Sequence, residues 1–351
     1  MAVQTSCGEH GRSKSENDTA PPVGCDKRSA GTPYGVHNWC AGAALVTPYA
    51  DIAQTLIHPI IVAWASIAIT AGVASANAAA AETARFYPAA DPENDGGWHL
   101  NESVSDEFEG VRLDTSKWHI QGTDGKYQSN FIGRAPSQFS TDNVRVEDGK
   151  LKLQARWEPD FKFTDKIDYS DKNHPGGRRY ENITTAAVIS KKKFLYGYME
   201  IKCKAADASV TSSFWMTGNK SELDVFEFMG RPAQRHKVHL ESELWSSIHD
   251  WGTKGGPTTW TDRLQLGWRV ADDFHVYGIE WDQNYLKFHA DGKLVRTVTK
   301  QEVGEEGWVI DGPLMIWVDS ETFPWHGLPS EEDVPADYEI EYIRVWQKEP
   351  K

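Results

Sequence analysis

The sequence has little cysteine in the part of the chain that is expected to fold. Three of its four cysteines lie within residues 1–50, and only Cys203 follows them. Residues 1–50 are rich in Ser, Gly, Pro and Thr without a hydrophobic period, so we expect a disordered or mis-assigned N-terminal extension. Beyond it no disulfide can form within the domain. Because Cys203 shares strand parity with Met199 and Ile201, we predict a buried core thiol.

Long hydrophobic runs are scarce, and the one present occupies residues 51–81. It ends in the small residues Ala74 to Ala78, which offer A-x-A cleavage sites, and therefore predicts a secretory signal peptide. An uncleaved membrane anchor is the alternative, because the run is nearly long enough to span a bilayer. The preceding positive charges, Lys27 and Arg28, lie far upstream, which favours a mis-assigned start. We expect a secreted, periplasmic or extracellular protein, with membrane contact only if the run is uncleaved.

Basic residues are outnumbered, with 37 Lys and Arg against 51 Asp and Glu and a formal net charge of −14. No basic stretch is long enough to follow a nucleic-acid backbone, which argues against nucleic acid as a partner. A sulfated polymer stays open, because a few placed arginines can bind sulfate locally. No zinc-spaced Cys/His cluster, phosphate-binding loop or Ser-His-Asp arrangement stands out. We therefore expect no cofactor for catalysis.

Helical periodicity is also missing, and short alternating runs take its place from Trp98 onward. Lys150 to Arg156 alternates polar and apolar residues, and Asp291-Gly292 predicts a hairpin between two further runs. Such a pattern predicts two stacked antiparallel sheets, an all-β sandwich of jelly-roll type. No repeat or second domain is visible, so we predict one catalytic domain over residues 82–351 and a monomer.

Three carboxylates lie within six residues, in the otherwise apolar run from Phe214 to Gly230. On a strand Glu222 and Asp224 share one face, whereas Glu227 has the opposite parity. One extra residue, a β-bulge near Val225-Phe226, would bring Glu227 to the face of the other two.

A helical alternative exists for the same stretch. Ser221-x-x-Asp224 can form a capping box, and Leu223, Phe226 and Met229 are spaced for one helix face. The aromatic and β-branched content and the short length favour the strand.

The strand interpretation suits the hydrolysis of a glycosidic bond. Retaining glycosidases hold a nucleophilic carboxylate and a general acid/base about 5–5.5 Å apart. Carboxyl groups this close titrate together, so one proton is retained near neutral pH. We predict that Glu222 is the nucleophile and Glu227 the acid/base, with Asp224 as a helper hydrogen-bonded to Glu222.

The sequence resembles glycoside hydrolase family 16 over residues 98–348. Glu222 to Glu227 is similar to the family signature E-[ILV]-D-x-x-E in its bulged form. Four further stretches match the family's strands in order: Phe194 to Lys202, Phe274 to Trp281, Phe288 to Lys293 and Tyr338 to Gln347. The resemblance implies a concanavalin A-like jelly roll with a substrate cleft on its concave sheet.

The resemblance also implies substrate-binding residues. Trp215 differs in parity from Phe214 and belongs to the strand where the family stacks a sugar. His239, expected on the strand after the signature, could bind substrate or be a hydrogen-bonded structural residue. Arg134 could bind substrate or pair with an acid. Glu321 could bind sugar hydroxyls or be a solvated surface acid. Trp325, like Trp245 and Trp251, lies in a loop-like stretch where cleft exposure is plausible.

The resemblance also implies a structural calcium ion. The corresponding positions are the backbone of Gly149 and the side chain of Glu341, where relatives usually have Asp. Oxygen ligands suit calcium, and the Glu departs from the family pattern.

The run Met315 to Pro329 and the stretch Gly133 to Val144 resemble the red-algal galactan branch of the family, the agarases and porphyranases. We therefore predict a secreted, endo-acting, retaining enzyme that cleaves β-1,4 linkages in agar-type galactan. Porphyran and carrageenan are alternative substrates, followed by β-1,3-glucan. The competing class is a non-catalytic, lectin-like module on the same sandwich, which would have no need of the acidic trio.

Overall fold

The structure of the chain is a computed structural model that describes residues 86–349. The predicted extension at residues 1–50 and the predicted signal peptide or anchor at residues 51–81 lie outside the described residues. Between residues 86 and 349, no helix combines the length and hydrophobicity needed to cross a membrane.

The described residues form β-strands connected by turns and short helical segments. In chain order the strands are β1 His99–Leu100, β2 Trp118–Ile120, β3 Ser137–Phe139, β4 Val144–Glu147, β5 Lys150–Trp157, β6 Ile167–Asp168, β7 Arg178–Arg179, β8 Ile183–Ser190, β9 Gly197–Lys204, β10 Thr211–Gly218, β11 Ser221–Met229, β12 Glu243–Asp250, β13 Thr258–Gln265, β14 His275–Trp281, β15 Tyr285–Ala290, β16 Lys293–Thr299, β17 Met315–Ser320 and β18 Ala336–Gln347. The helical segments are the α-helical turn Lys300–Val303 and the 3-10 segments Thr123–Gly125, Gln128–Asn130, Thr141–Asn143, Arg235–Ser242, Pro324–His326 and Glu331–Asp333.

The main strands follow one hydrogen-bonded order, β13-β12-β11-β10-β17-β8-β5-β18-β9-β14-β15-β16. Its two halves meet at β5 and β8, where only two residue pairs are in register. Both halves contribute to one buried core: Phe214 and Leu223 come from the first half, and Ile201 and Ile279 from the second. The strands therefore form a curled antiparallel sheet whose halves share their apolar faces, and the predicted all-β jelly roll is confirmed.

Local sequence patterns explain individual elements. Asp291 and Gly292 have positive φ angles of 48° and 73°, as a tight two-residue hairpin requires, and they join β15 to β16 as predicted. Cys203 is 1% exposed and belongs to the main core, which confirms the buried thiol.

The hairpin of β10 and β11 lies inside the first half of the sheet, between β12 and β17. Its turn contains Asn219 and Lys220, both with positive φ. One face of this hairpin packs on the core, and the opposite face carries the polar residues of the site.

Candidate active site

Strand β11 contains one residue more than its partner. Phe226 is paired with Phe214 and Asp224 with Trp215, so Val225 has no partner across the ladder. The predicted β-bulge is therefore confirmed at Val225. Both Val225 and Phe226 are buried in the core, which is how an extra residue changes the parity of everything that follows it.

The three carboxylates share the face opposite the core. Glu222, Asp224 and Glu227 all line a cavity of about 700 Å³, which is large enough for several sugar rings in an open groove. The helical alternative for this stretch is wrong, because Ser221 to Met229 is a continuous strand.

The rest of the cavity comes from neighbouring strands and loops. Of the predicted binding residues, Trp215, Arg134 and Glu321 line it. The other lining residues are Ser129, Phe131, Lys193, Ser213, Thr217, Gly218, Asn219, Lys220, Trp251, Met315, Trp317 and Asp319.

Strand β17 forms part of the floor through simple alternation. Trp317 and Asp319 face the cavity, whereas Ile316 and Val318 belong to the core. Trp215 stacks on Trp317 with ring centroids 4.6 Å apart, and its Nε1 donates a hydrogen bond of 3.2 Å to Asp319. The Trp215 ring is therefore held in one orientation beside the carboxylates.

His249, at the end of β12, and Trp251, just after it, contact the acidic trio. Trp251 Nε1 donates to Glu222 Oε2 at 3.0 Å, and His249 Nε2 lies 3.1 Å from Asp224 Oδ2. The His249 and Trp251 rings stack with an interplanar angle of 18°, and His249 Nδ1 contacts Thr258 Oγ1 at 3.1 Å. The short contact of Asp224 is thus with His249 rather than with Glu222, although one ligand atom of each of Glu222, Asp224 and His249 lies within 4.8 Å of the others.

The pKa values of the three carboxyl groups are all raised. Burial, and then the charge of Asp224, raises the pKa of Glu222 to about 8, against the opposing effects of His249, the Trp251 N–H and Arg134. Burial raises the pKa of Asp224 to about 8 as well. Burial and the charge of Asp224 raise the pKa of Glu227 well above its ordinary value. The three carboxyl groups therefore titrate together and retain protons to a higher pH than free carboxyl groups do.

Arg134 is a cation that lines this acidic cavity. Its guanidinium contacts Glu321 at 3.4 Å and lies over the rings of Phe323 and Trp325, at 5.1 and 5.2 Å from their centroids. Its charge also lowers the pKa of Glu227. Arg134 thus pairs with an acid and lines the cavity at once, so both of its predicted roles are compatible with the structure.

Two predicted binding residues lie elsewhere. His239 is exposed on the 3-10 segment Arg235–Ser242 and is not among the cavity-lining residues, so its expected place on a strand is wrong. Trp325 is half-buried against Phe323 and reaches the cavity only through Arg134. The histidine beside the trio is His249, which the sequence reasoning missed.

Two lysines stand at the Trp251 end of the cavity. A Cβ placed on Gly218 would lie 3.3 Å from Lys193 Nζ, and one placed on Gly252 would lie 3.8 Å from the Cβ of Lys220. Within residues 86–349 neither lysine has an ion-pair partner. Both are exposed, so this end of an otherwise acidic cavity offers two uncompensated positive charges.

The predicted calcium positions meet at one surface pocket. Gly149 and Glu341 both line it, together with Lys202 and Arg344. Lys202 Nζ lies 2.6 Å from Glu341 Oε2, so an ammonium group already neutralises the carboxylate that calcium would need. Glu107, Glu109 and Asp148 also line this pocket, so oxygen donors are present beside the cations Lys150, Lys202 and Arg344. We assign calcium no role in the reaction, and the ion stays a prediction.

Comparisons with known proteins agree with this geometry. Residues 98–348 match the family model described as "Beta-porphyranase A-D, GH16 domain". The chain is 28% identical over 293 residues to beta-porphyranase B of Zobellia galactanivorans, covering 76% of this chain and 91% of that protein. It is 24% identical to a beta-agarase of Phocaeicola plebeius, covering 76% and 90% of the two chains. The crystal structure of porphyranase B from Zobellia galactanivorans superposes with a TM-score of 0.57 and 25% identity, over 71% of this chain and 92% of that one.

Proposed function

The chain belongs to glycoside hydrolase family 16, and we propose that it is an endo-acting, retaining enzyme that cleaves β-1,4 galactosidic linkages in the sulfated galactan porphyran. It is a glycan hydrolase of the porphyranase and agarase branch. The sequence alone pointed first to agar-type galactan. The porphyranase match and the cavity lysines move porphyran ahead of agarose.

The observation that carries the mechanism is the shared face of Glu222 and Glu227 across the bulge at Val225. Glu222 Oε2 accepts from Trp251, so Oε1 is the oxygen that attacks the anomeric carbon. Glu227 gives its proton to the departing glycosidic oxygen as that bond breaks. The product is a glycosyl ester on Glu222.

The second half of the reaction reverses the role of Glu227. As a carboxylate it removes a proton from water, the water oxygen attacks the anomeric carbon, and Glu222 leaves as a carboxylate. Asp224 lies beside Glu222, and its Oδ2 is 3.1 Å from His249 Nε2. Retention of configuration follows from two successive inversions.

Two aromatic side chains support an open groove that binds a chain internally. Trp215, which stacks on the buried Trp317 ring, and Trp251, which is 51% exposed, both line the cavity. Exposed aromatic faces stack on the apolar faces of sugars. These features favour endo-acting cleavage of a polymer over trimming of its ends.

Agarose is the second candidate substrate, because a beta-agarase is also among the relatives. Neutral agarose lacks the sulfate ester that would match Lys193 and Lys220. The site does not support a non-catalytic, sugar-binding function. Such a protein does not need three neighbouring carboxyl groups whose pKa values are raised by burial. Export before action on an external polymer is proposed from residues 51–81 alone.

The test is reducing-sugar release by the full chain from porphyran, agarose, κ-carrageenan, laminarin and lichenan. Glu222→Gln is expected to abolish release while the protein stays folded by circular dichroism. Glu280→Gln, a change at a carboxylate paired with Tyr285 and Lys287 away from the cavity, is the matched control and should retain activity. Proton NMR of the first product should show the β-anomer.

Undiminished turnover by Glu222→Gln would remove Glu222 as the nucleophile. Cleavage of agarose but not porphyran would replace the proposed substrate. Retention of a polymer on an affinity gel without any cleavage would support the binding module.

A further inference from the structure

Behind the acid/base, on the side away from the main cavity, lies a second and much smaller space. Its volume is about 10 Å³, which is about what one water molecule needs. Glu227 lines both spaces and therefore separates them. The polar residues that share the small space with Glu227 are Thr211, Glu243 and His326.

His326 presents an unsatisfied nitrogen there. The residue is 6% exposed, and its buried Nε2 has no hydrogen-bond partner among the described residues. Lys237 Nζ lies 3.1 Å from Nδ1 and can only donate, so Nδ1 is the acceptor and Nε2 carries the proton of the neutral ring. Burial, with the charge of Lys237, lowers the pKa of His326 to about 4, which keeps the ring neutral.

The Glu227 carboxyl also lacks a direct partner, because residues 86–349 give it no hydrogen bond. A half-buried carboxyl group among other acids is costly to ionise without a donor. The reaction nevertheless requires Glu227 to lose and regain a proton in each cycle. A donor on its buried side would stabilise the ionised form without blocking the substrate side.

We propose that one water molecule occupies this small space and links His326 Nε2 to the Glu227 carboxyl, which makes His326 a positioning residue for the acid/base. The water accepts from Nε2–H and from the Thr211 hydroxyl, whose oxygen already accepts from the Glu321 backbone N–H at 3.0 Å. It donates one proton to Glu227 and one to Glu243. Four partners complete its hydrogen bonds.

The charged groups around Glu227 and His326 are consistent with a neutral His326 ring that donates from Nε2. Those acting on Glu227 are Glu222, Asp224, Arg134, Asp319 and Glu321. Those acting on His326 are Lys237, Arg263 and His239. Glu243, the remaining carboxylate, is already paired with Arg263 at 3.1 Å and hydrogen-bonded by Gln265 at 3.2 Å. The acceptor that still needs a donor is therefore Glu227.

The inference rests on the role of Glu227 in the proposed function, and two variants separate it from a structural role of the ring. His326→Gln can place an N–H donor near the position of Nε2. His326→Asn retains polar atoms near the position of Nδ1, where Lys237 binds, and lacks the donor toward Glu227. Both variants are compared with the wild type for kcat/KM on the cleaved galactan between pH 5 and pH 10.

In His326→Asn the alkaline limb of kcat/KM, which reports protonated Glu227, should move up by roughly 0.5–1 pH unit, because the ionised form has lost its donor. In His326→Gln the limb should stay near the wild-type position. The proposal would be overturned if the alkaline limb lay at the same pH in all three proteins, or if it moved equally in both variants. Absence of any wild-type turnover would instead count against the proposed function.

A crystal structure of the unmodified protein gives a second test that does not depend on variants folding. Density for one water within hydrogen-bond distance of His326 Nε2 and Glu227 is expected. An empty space, or a water bonded to only one of the two, would overturn the proposal.

Discussion

Trp251 Nε1 lies 3.0 Å from Glu222 Oε2, and the same indole ring stacks on His249, which contacts Asp224. One loop residue thus acts on two of the three acidic groups at once. Its N–H favours the ionised form of the nucleophile, and its ring holds the imidazole beside the helper carboxylate.

Replacing Trp251 separates these two effects. Trp251→Phe keeps an aromatic ring over His249 and removes the donor, so kcat/KM should fall by roughly tenfold, the cost of about 1.4 kcal/mol for a lost charge-assisted hydrogen bond. The acid limb of the pH profile should move upward, because the pKa of Glu222 rises without the donor. Initial rates across pH measure both effects.

A matched control for that change is Trp268→Phe. Trp268 also stacks on a histidine, His275, and donates from Nε1 to the Tyr277 hydroxyl at 3.0 Å, away from the cavity. Its pH profile should be that of the wild type. A similar shift in both variants would contradict a specific effect of Trp251 on Glu222.

The acidic trio should make the protein less stable as pH rises. The pKa of Glu222 is raised in the folded state from 4.5 to about 8, so the folded protein binds more protons than the unfolded one between these values. Its free energy of unfolding therefore falls as pH rises through this window. Glu222→Gln removes the effect and should stabilise the protein by roughly 1–3 kcal/mol at pH 8, and by nothing at pH 4.

Urea unfolding at the two pH values measures this difference. Glu280→Gln is a control of opposite sign, because hydrogen bonds from Tyr285 and Lys287 lower the pKa of Glu280. That variant should lose stability at pH 8 and little at pH 4. Equal stability of wild type and Glu222→Gln at pH 8 would contradict the raised pKa.

Arg134 should be required for stability as well as activity. Arg134→Met removes the cation that faces Glu321, and buried acids left without it cost roughly 3–5 kcal/mol at neutral pH. Glu321→Gln added to it should recover part of the loss, which urea unfolding of the single and double variants measures. If the losses in free energy of unfolding were additive, the 3.4 Å contact between Arg134 and Glu321 would contribute nothing to stability.

The lysines at the Trp251 end should discriminate by charge. Lys193→Met with Lys220→Met is expected to lower kcat/KM on porphyran by roughly tenfold or more, and to leave cleavage of neutral agarose oligosaccharides nearly unchanged. Lys192→Met is the control, because Lys192 is exposed next to Lys193 and is not a cavity-lining residue. Equal losses of kcat/KM on both substrates would show that the lysines do not recognise sulfate.

Local spacing was enough to predict the catalytic strand. The parity of Glu222, Asp224 and Glu227 required a bulge, and the difference between Phe214 and Trp215 placed the tryptophan in the cavity. The same alternation in Met315 to Ser320 places Trp317 and Asp319 on the face opposite Ile316 and Val318.

Contacts between distant residues were beyond that reasoning. His249 lies opposite Glu222 on the neighbouring strand, and no sequence motif in β12 predicts this register. His239 was expected on a strand because the length of the connection was unknown, and a 3-10 segment fills it. The pairing of Lys202 with Glu341 depends in the same way on which strands become neighbours.

The unpaired Val225 has a consequence for the strand lengths that this site can tolerate. Without Val225, Glu222, Asp224 and Glu227 would follow one another at every second position, and a regular strand would keep all three on the cavity face. With Val225 present, the bulge is what keeps Glu227 on that face. The two strand lengths are therefore equivalent for the site, provided that the extra residue and the bulge are gained or lost together.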